Sequence, residues 1–188
     1  MVRLSATRCA LLCKASHRWK GSTTNETFAP VTKLNSIRVL LTLAARLDLK
    51  VHQMDVKSAF LNGVLEEEIY MRVPPGHDAL PGIVWKLNKA LYGLKQASHE
   101  WYKRLSTELK SMGFQRSSVD HCMFYKNQDS NLLVIAVYID DMMILSNRID
   151  LVNETKHKLS SHFEMTDLGE IHWILNMEVT RDCKNKII

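Results

Sequence analysis

An apolar run broken by two adjacent carboxylates is the feature that most constrains this chain. Residues 132–139 read Leu-Leu-Val-Ile-Ala-Val-Tyr-Ile, Asp140 and Asp141 follow, and apolar residues resume at 142–145. Short runs of this kind are typical of buried strands, so the pattern predicts a hairpin with both acids at its connection. No Gly or Asn accounts for a turn there. The fold must therefore hold charged groups beside a hydrophobic core, which is costly unless a partner compensates them.

Two interpretations of the Asp140-Asp141 pair are open at this point. Paired acids at an ordinary hairpin turn are a common solvated feature. Alternatively, hard carboxylate oxygens suit Mg²⁺, which takes one or two carboxylates and leaves the rest of its shell to water and phosphate. Asp55 is the other acid within a strand-like run, Val51–Val56. Only tertiary folding could bring it to the same place.

Composition and charge fit one globular domain without a membrane span. The 188 residues are 46% hydrophobic and carry a net charge of +5, and no apolar stretch reaches the roughly 18 residues that a spanning helix needs. All of the excess charge lies in residues 1–25, so the remainder is neutral, with a basic segment at 86–116 and an acidic one at 117–188. Four scattered cysteines without a secretory signal indicate a reducing, intracellular compartment, cytoplasmic or nuclear.

The pattern along the chain predicts an alternation of helices and strands after residue 25. Residues 1–25 are basic and free of acid, which is typical either of an organellar transit peptide or of a poorly ordered tail. Apolar spacing and stop signals predict the following elements: a helix capped by Asn35 or Ser36, strands at 51–56 and 69–73, a basic helix at 89–112 stopped by Gly113, the two strands around Asp140, a helix from Asp150 to Ser161, a turn at 167–170 and a last strand at 171–179.

Four sequence blocks in a fixed order resemble a known family. They read Glu-Thr-Phe-Ala-Pro-Val at 26–31, His-Gln-Met-Asp-Val-Lys-Ser-Ala-Phe-Leu-Asn-Gly at 52–63, Leu-Tyr-Gly-Leu-Lys-Gln-Ala at 91–97 and Tyr-Ile-Asp-Asp at 138–141. Over about residues 25–182 the chain resembles the reverse transcriptase domain of copia-type retrotransposon Pol polyproteins. The resemblance implies an α+β right-hand polymerase fold over 26–188, with helices packed on an antiparallel palm sheet, and a divergent head at 1–25.

The resemblance also implies roles for individual residues. Asp55, Asp140 and Asp141 would hold two Mg²⁺ (or Mn²⁺) ions, with the backbone carbonyl of Val56 as a further ligand, for two-metal nucleotidyl transfer. Phe60 matches the position of a ring that blocks a ribose 2′-hydroxyl, although a core aromatic is an equally good interpretation of the residue itself. Gln96 matches a position that contacts the incoming nucleotide or the template.

The implied partners are an RNA template, a DNA primer and deoxynucleoside triphosphates. Lys95, Lys103 and Arg104 on the basic helix could contact backbone phosphates, or they could simply form an exposed helical face. No membrane partner is implied. The resemblance further predicts truncation at both ends, because the chain shows no thumb or ribonuclease H segment after residue 188 and residues 1–24 do not reproduce the basic fingers segment of the family.

Smaller departures leave two hypotheses about function open. The family usually has an Arg before Trp101, where this chain reads Ser-His-Glu, and Asn176 stands where a Gly is usual. The first hypothesis is an RNA-directed DNA polymerase module that retains its catalytic carboxylates. The second is a non-catalytic relic of a retroelement that at most binds nucleic acid.

Overall fold

The computed structural model describes residues 29–74, 76–77, 83–128 and 131–188, without the side chains of Arg72 and Gln128. The predicted head, residues 1–25, lies outside the described residues. The predicted α+β class is confirmed, because helices accompany a mainly antiparallel sheet. Two compact units divide the chain: unit 1 contains residues 1–29 and 58–105, and unit 2 contains residues 30–57 and 106–188.

A six-stranded antiparallel sheet forms the framework of unit 2, in the order β4-β5-β6-β7-β1-β8. The strands are β1 (Lys50–Val56), β4 (Gln115–Arg116), β5 (Met123–Gln128), β6 (Asn131–Tyr138), β7 (Asp141–Ser146) and β8 (Met165–Glu170). The central strands β6 and β7 are almost entirely buried, as their apolar composition predicts. Strand β1 ends at Val56, 85 residues before β7 begins at Asp141, yet it is part of the same sheet because it pairs with both β7 and β8.

Two helices cover the two faces of this sheet. Helix α1 (Leu34–Leu47) packs its apolar stripe on alternate residues of β1, β6 and β7, including Val51, Val134 and Met143. Helix α3 (Ile149–His162) contacts β1, β7 and β8. Side chains of a strand alternate between faces, so Val51 of β1 packs towards α1, whereas His52 points to the opposite face and contacts Lys156 of α3. Both faces are therefore largely buried, and polar side chains within the strands, such as His52, need hydrogen-bond partners.

Asp120 holds the start of α1 from outside the helix. The first residues of α1 leave backbone N–H groups without partners in the helix. The carboxylate of Asp120 accepts hydrogen bonds from Lys33 N at 3.0 Å, Ser36 Oγ at 2.7 Å and Cys122 N at 3.0 Å. The predicted local cap by Asn35 or Ser36 is wrong, because no side chain caps the helix at its own N-cap residue, Lys33.

Cys122 is a free and buried thiol beside Asp120. Burial, followed by the negative charge of Asp120, raises the pKa of this thiol to about 12. It therefore stays protonated and unreactive at neutral pH. Cys183 is free and exposed, whereas Cys9 and Cys13 lie outside the described residues.

Unit 1 contains a separate two-stranded antiparallel sheet. Its strands are β2 (Val64–Arg72) and β3 (Val84–Lys89), preceded by a 3₁₀ turn (Ala59–Asn62), and helix α2 (Ala97–Ser111) begins in this unit. Gly63 lies so close to α2 that a Cβ atom would stand 2.9 Å from Cβ of Glu100 and 3.1 Å from the backbone nitrogen of Trp101. The Asn-Gly pair thus ends the 3₁₀ turn where only a residue without a side chain fits.

Several predicted boundaries are wrong for identifiable reasons. Helix α2 begins at Ala97 rather than at residue 89, because β3 occupies residues 84–89 and Gly93 adopts a φ of 94° in the connection. Strand β2 begins before the predicted residue 69 and includes the glutamates at 66–68. The predicted turn at 167–170 belongs to β8. The predicted stop of α2 at Gly113 is confirmed by its φ of 87° and its hydrogen bond to Lys110 O.

The predicted last strand is a short hairpin instead. Strands β9 (Trp173–Ile174) and β10 (Met177–Glu178) pair across Leu175 and Asn176, whose φ angles are 49° and 62°. Asn enters this left-handed region more readily than most residues. The replacement of the usual Gly by Asn176 is therefore compatible with the turn. In the part of the chain that the structure describes, none of the helices has the length and apolar character to cross a membrane.

Candidate active site

The turn between β6 and β7 carries the two adjacent aspartates, as predicted. Tyr138 and Asp141 are cross-strand partners, which leaves Ile139 and Asp140 as the turn residues. Ile139 has a φ of 58°, a conformation that β-branched residues rarely adopt. Such a residue costs about 1–3 kcal/mol and persists only where the surrounding structure enforces it. Here the buried strands on both sides enforce it.

Strand β1 brings Asp55 to the same turn. Asp55 is the cross-strand partner of Asp141, and the N–H of Val56 donates to the backbone oxygen of Asp140 at 2.9 Å. Directly opposite residues of an antiparallel pair point to the same face. The structure therefore places the three predicted carboxylates, and the backbone of Val56, at one end of the sheet.

The electrostatic surroundings of Asp55 all disfavour its charged form. Burial, and then the negative charges of Asp140 and Asp141, raise the pKa of its carboxyl above the usual value. Asp141 receives a hydrogen bond from a neutral donor, because Nε2 of Gln53 lies 3.0 Å from its Oδ1. Since Gln53 brings no positive charge, this hydrogen bond leaves the negative charge of Asp141 unneutralised.

The donor set at this turn fits a hard divalent cation in its chemistry. Carboxylate and backbone carbonyl oxygens are the ligands that Mg²⁺ prefers, and Asp55 lies opposite Asp141 with the backbone of Val56 beside Asp140. As the described side chains stand, no three or more His, Cys, Asp or Glu residues are gathered into a metal-binding group. Mg²⁺ does not require such a cage, since it keeps several waters and uses one or two carboxylates.

The opposite face of β1 is fixed by a buried lysine. Nζ of Lys156 lies 2.7 Å from Nδ1 of His52 and 2.6 Å from Oδ1 of Asp167. Burial and the charge of Lys156 lower the pKa of His52. Burial alone would raise the pKa of Asp167, but the hydrogen bonds from Lys156 and from Gly169 N lower it. This cluster ties β1 to α3 and β8, and thereby fixes the strand that carries Asp55.

The remaining predicted site residues belong to unit 1. Phe60 is half-buried on the 3₁₀ turn, and its ring lies against Tyr92 with centroids 4.3 Å apart at an angle of 49°. Gln96 is buried, and its Nε2 donates to Glu67 at 3.1 Å. Each of these two predicted nucleotide contacts is thus held by a neighbour within its own unit.

The three predicted phosphate contacts do not form one helical face. Lys95 precedes α2, because the helix begins at Ala97, whereas Lys103 and Arg104 lie on the helix and are exposed. Nζ of Lys103 pairs with Glu66 at 2.5 Å. The hydrogen bond and charge of Glu66 raise the pKa of Lys103, so the lysine stays fully protonated but is already partnered.

Sequence reasoning did not single out Gln53 or Tyr92. Gln53 precedes Asp55 by two residues, the spacing that puts two side chains on one face of a strand. That spacing could have identified Gln53 as a neighbour of the acidic residues. Tyr92 gave no such signal, because its contact with Phe60 depends on the path of the chain between residues 60 and 92.

Comparison with known proteins extends the resemblance. The family model of reverse transcriptase (RNA-dependent DNA polymerase) matches residues 6–188, so the match begins before the first of the four blocks. The retrovirus-related Pol polyprotein from transposon TNT 1-94 of Nicotiana tabacum is 42% identical over 178 residues, which cover 93% of this chain and 13% of that protein.

Other relatives are also transposon polyproteins. The retrovirus-related Pol polyprotein from transposon RE1 of Arabidopsis thaliana is 37% identical over 180 residues, covering 95% of this chain and 12% of that protein. The transposon Ty1-BL Gag-Pol polyprotein of Saccharomyces cerevisiae is 31% identical over 137 residues, which cover 70% of this chain and 8% of that protein. The chain thus spans a small part of each relative's length. The predicted resemblance is confirmed, and the chain belongs to the reverse transcriptase (RNA-dependent DNA polymerase) family.

Proposed function

We propose that this chain is an RNA-directed DNA polymerase module of a retrotransposon, with unit 2 as the palm and the β2–β3 region as part of the fingers of a right-hand polymerase. One observation carries the proposal. Asp55 and the Asp140-Asp141 turn meet on neighbouring strands, and the two turn acids help to raise the pKa of Asp55. A perturbed carboxylate group of this kind, outside the packed core, is typical of a functional site.

Two divalent ions, Mg²⁺ or Mn²⁺, would be held by Asp55, Asp140 and Asp141 together with the backbone carbonyl of Val56. When bound, the ions would lower the pKa of a primer 3′-hydroxyl and stabilise the charge on phosphorus as pyrophosphate leaves. The protein's own contribution is positioning. The β1–β7 pairing fixes Asp55 opposite Asp141, and the hydrogen bond from Val56 N to Asp140 O fixes the turn.

The substrates would be an RNA template, a DNA primer and deoxynucleoside triphosphates. In this proposal Phe60 excludes the ribose 2′-hydroxyl, and its contact with Tyr92 holds the ring in place. Gln96 contacts the nucleotide or the template from a side chain oriented by Glu67. Lys95, Lys103 and Arg104 contact phosphates, and Lys103 would exchange Glu66 for a phosphate when nucleic acid binds.

Primer extension on an RNA template tests the proposal. The chain is compared with Asp140→Asn, and with Asp150→Asn as a matched control, since Asp150 is an exposed aspartate in the first turn of α3. Loss of a metal-binding carboxylate removes several kcal/mol of transition-state stabilisation, so we expect at least about 100-fold slower extension for Asp140→Asn. The Asp150→Asn variant should extend at the rate of the unmodified chain.

Equal extension by the chain and by Asp140→Asn would overturn the polymerase proposal. Binding to an RNA/DNA duplex then tests the alternative, a relic that only binds nucleic acid. Phosphate contacts release counterions, so such binding should weaken steeply as salt rises. Absence of both extension and salt-dependent binding would contradict both functions.

A further inference from the structure

We propose that Gln53 is a positioning residue that orients the carboxylate of Asp141 for a divalent cation. This inference rests on the proposed function, because it concerns the same metal site. It is based on a contact that the family resemblance does not supply: Nε2 of Gln53 lies 3.0 Å from Oδ1 of Asp141. The glutamine side chain is buried, at 8% exposure.

The strand register explains how the two side chains meet. Asp55 is opposite Asp141, and Gln53 is opposite Met143, so Gln53 and Asp141 are diagonal neighbours on one face. Diagonal neighbours are about 7–8 Å apart, a distance that long side chains can bridge. Glutamine has the length to cross that gap. The contact is thus a consequence of the β1–β7 register, which also fixes Asp55.

The chemistry of the amide suits this role. An ionised carboxylate only accepts hydrogen bonds, so the NH₂ group of Gln53 is the end that must face Asp141. A buried amide without a partner is costly, and Asp141 therefore also satisfies Gln53. A lysine at this position would neutralise the carboxylate and compete with a cation. The neutral amide orients the carboxylate and leaves its charge for the ion.

The expected consequence is a defined orientation of Asp141. One oxygen, Oδ1, is held by Gln53, and Oδ2 lies outside that hydrogen bond. Groups that hold a metal ligand in place typically contribute 10–100-fold to metal affinity. The structure of the strand itself should depend less on Gln53, because its neighbours Val51, Met54 and Met143 are buried apolar residues of the core.

Mn²⁺ binding, followed by electron paramagnetic resonance of the free ion, tests this role without relying on activity. The variants are Gln53→Leu and Gln53→Met, which keep bulk but lack a donor, and the control is Gln115→Leu, on the exposed edge strand β4. We expect about 10–100-fold weaker Mn²⁺ binding in either Gln53 variant and unchanged binding in the control. Circular dichroism identifies any variant that does not fold. If both Gln53 variants fail to fold, the role of Gln53 is structural.

A double variant separates positioning from a general effect. If Gln53 acts through Asp141, Gln53→Leu should change Mn²⁺ affinity little when Asp141→Asn is already present. Wild-type affinity in the folded Gln53 variants would overturn the proposal, as would an equal loss in both backgrounds or unfolding of both single variants. Absence of Mn²⁺ binding by the unmodified chain would instead overturn the metal site, and with it the proposed function.

Discussion

The glutamates of β2 and the aspartates at the β6–β7 turn are acidic groups on antiparallel strands, but their partners differ. Glu66 pairs with Lys103, and Glu68 pairs with Lys86. Hydrogen bonds from these lysines are the largest cause of the lowered pKa of both glutamates. Asp55 has the opposite shift, because burial and two neighbouring acids raise its pKa.

This difference separates two kinds of acidic run that look alike in sequence. The three consecutive glutamates are typical of a solvated face, and the two that pair with lysine are exposed. The two consecutive aspartates follow a buried strand, and Asp141 receives its hydrogen bond from a neutral amide. The paired glutamates are thus neutralised by lysine, whereas the hydrogen bond that Asp141 receives brings no positive charge.

Asp120 is a third case, a buried acid that is fully partnered, and it gives the largest expected effect. Asp120→Asn removes the charged acceptor of three hydrogen bonds, so we expect a loss of about 2 kcal/mol in the free energy of unfolding at pH 7. Burial alone would raise the pKa of Asp120, but the hydrogen bonds from Ser36, Lys33 and Cys122 lower it.

The sign of the pH dependence follows from that lowered pKa. The stabilisation by Asp120 is present above the ordinary carboxyl pKa of 3.8 and disappears as the pH falls through the lower value of the folded state. Urea unfolding of the two proteins at pH 7 and near pH 3 measures this difference. A difference that stays constant with pH would contradict the assignment to the ionised carboxylate.

Ile139→Asn compares the β6–β7 turn with the β9–β10 turn, which already has Asn at residue 176. Both residues have left-handed φ angles, 58° and 62°. Asn adopts this conformation more easily than a β-branched residue, so we expect a gain of about 1 kcal/mol in the free energy of unfolding. Thermal unfolding at neutral pH measures it, and unchanged or lower stability would show that Ile139 is not strained.

Asp55→Asn should have a smaller effect, opposite in sign to that of Asp120→Asn. It removes an ionised carboxyl that burial and two acids disfavour, so the free energy of unfolding in metal-free buffer should rise, by at most about 1 kcal/mol because solvent screens partly exposed charges. The penalty is complete above the raised pKa of the folded state, shrinks as the pH falls below it, and is lost below the ordinary carboxyl pKa of 3.8. The gain should therefore be measurable at pH 7 and absent near pH 3.

Divalent ions provide the internal control for Asp55→Asn. A ligand that binds only the folded state stabilises it, so Mg²⁺ should raise the melting temperature of the unmodified chain more than that of the variant. An equal rise in both proteins would indicate that Mg²⁺ acts elsewhere on the chain.

Glu68→Gln is expected to have the smallest effect. Its ion pair with Lys86 lies on the surface, and exposed pairs of this kind contribute little because water and salt screen them. The melting temperature should change little, and any change should shrink further in high salt. A loss of stability as large as that of Asp120→Asn would contradict the distinction between the exposed glutamates of β2 and the buried acid Asp120.

Local patterns predicted those parts of the fold that depend on neighbouring residues. The apolar run around Asp140 predicted β6, β7 and their turn, and helical spacing predicted α1 and α3 to within a few residues. The predicted start of α2 was wrong. Residues 89–96 have helical spacing, but they form the end of β3 and a connection that contains Gly93. The prediction of one last strand was wrong. Apolar and polar residues keep alternating through Leu175 and Asn176, although these two residues are left-handed and form a turn.

The sequence by itself determined the family, the strands that carry the acids and the identity of the three aspartates. Only the tertiary structure decided which groups meet. Gln53 contacts Asp141 across 88 residues, and Asp120 holds the start of α1 across 87. Hydrophobic periodicity is a local property of the chain, whereas the Gln53–Asp141 contact depends on the register of strands that are distant in sequence, and the Asp120 contact depends on how a loop packs against the start of a helix. Folding therefore decides which partners surround each carboxylate.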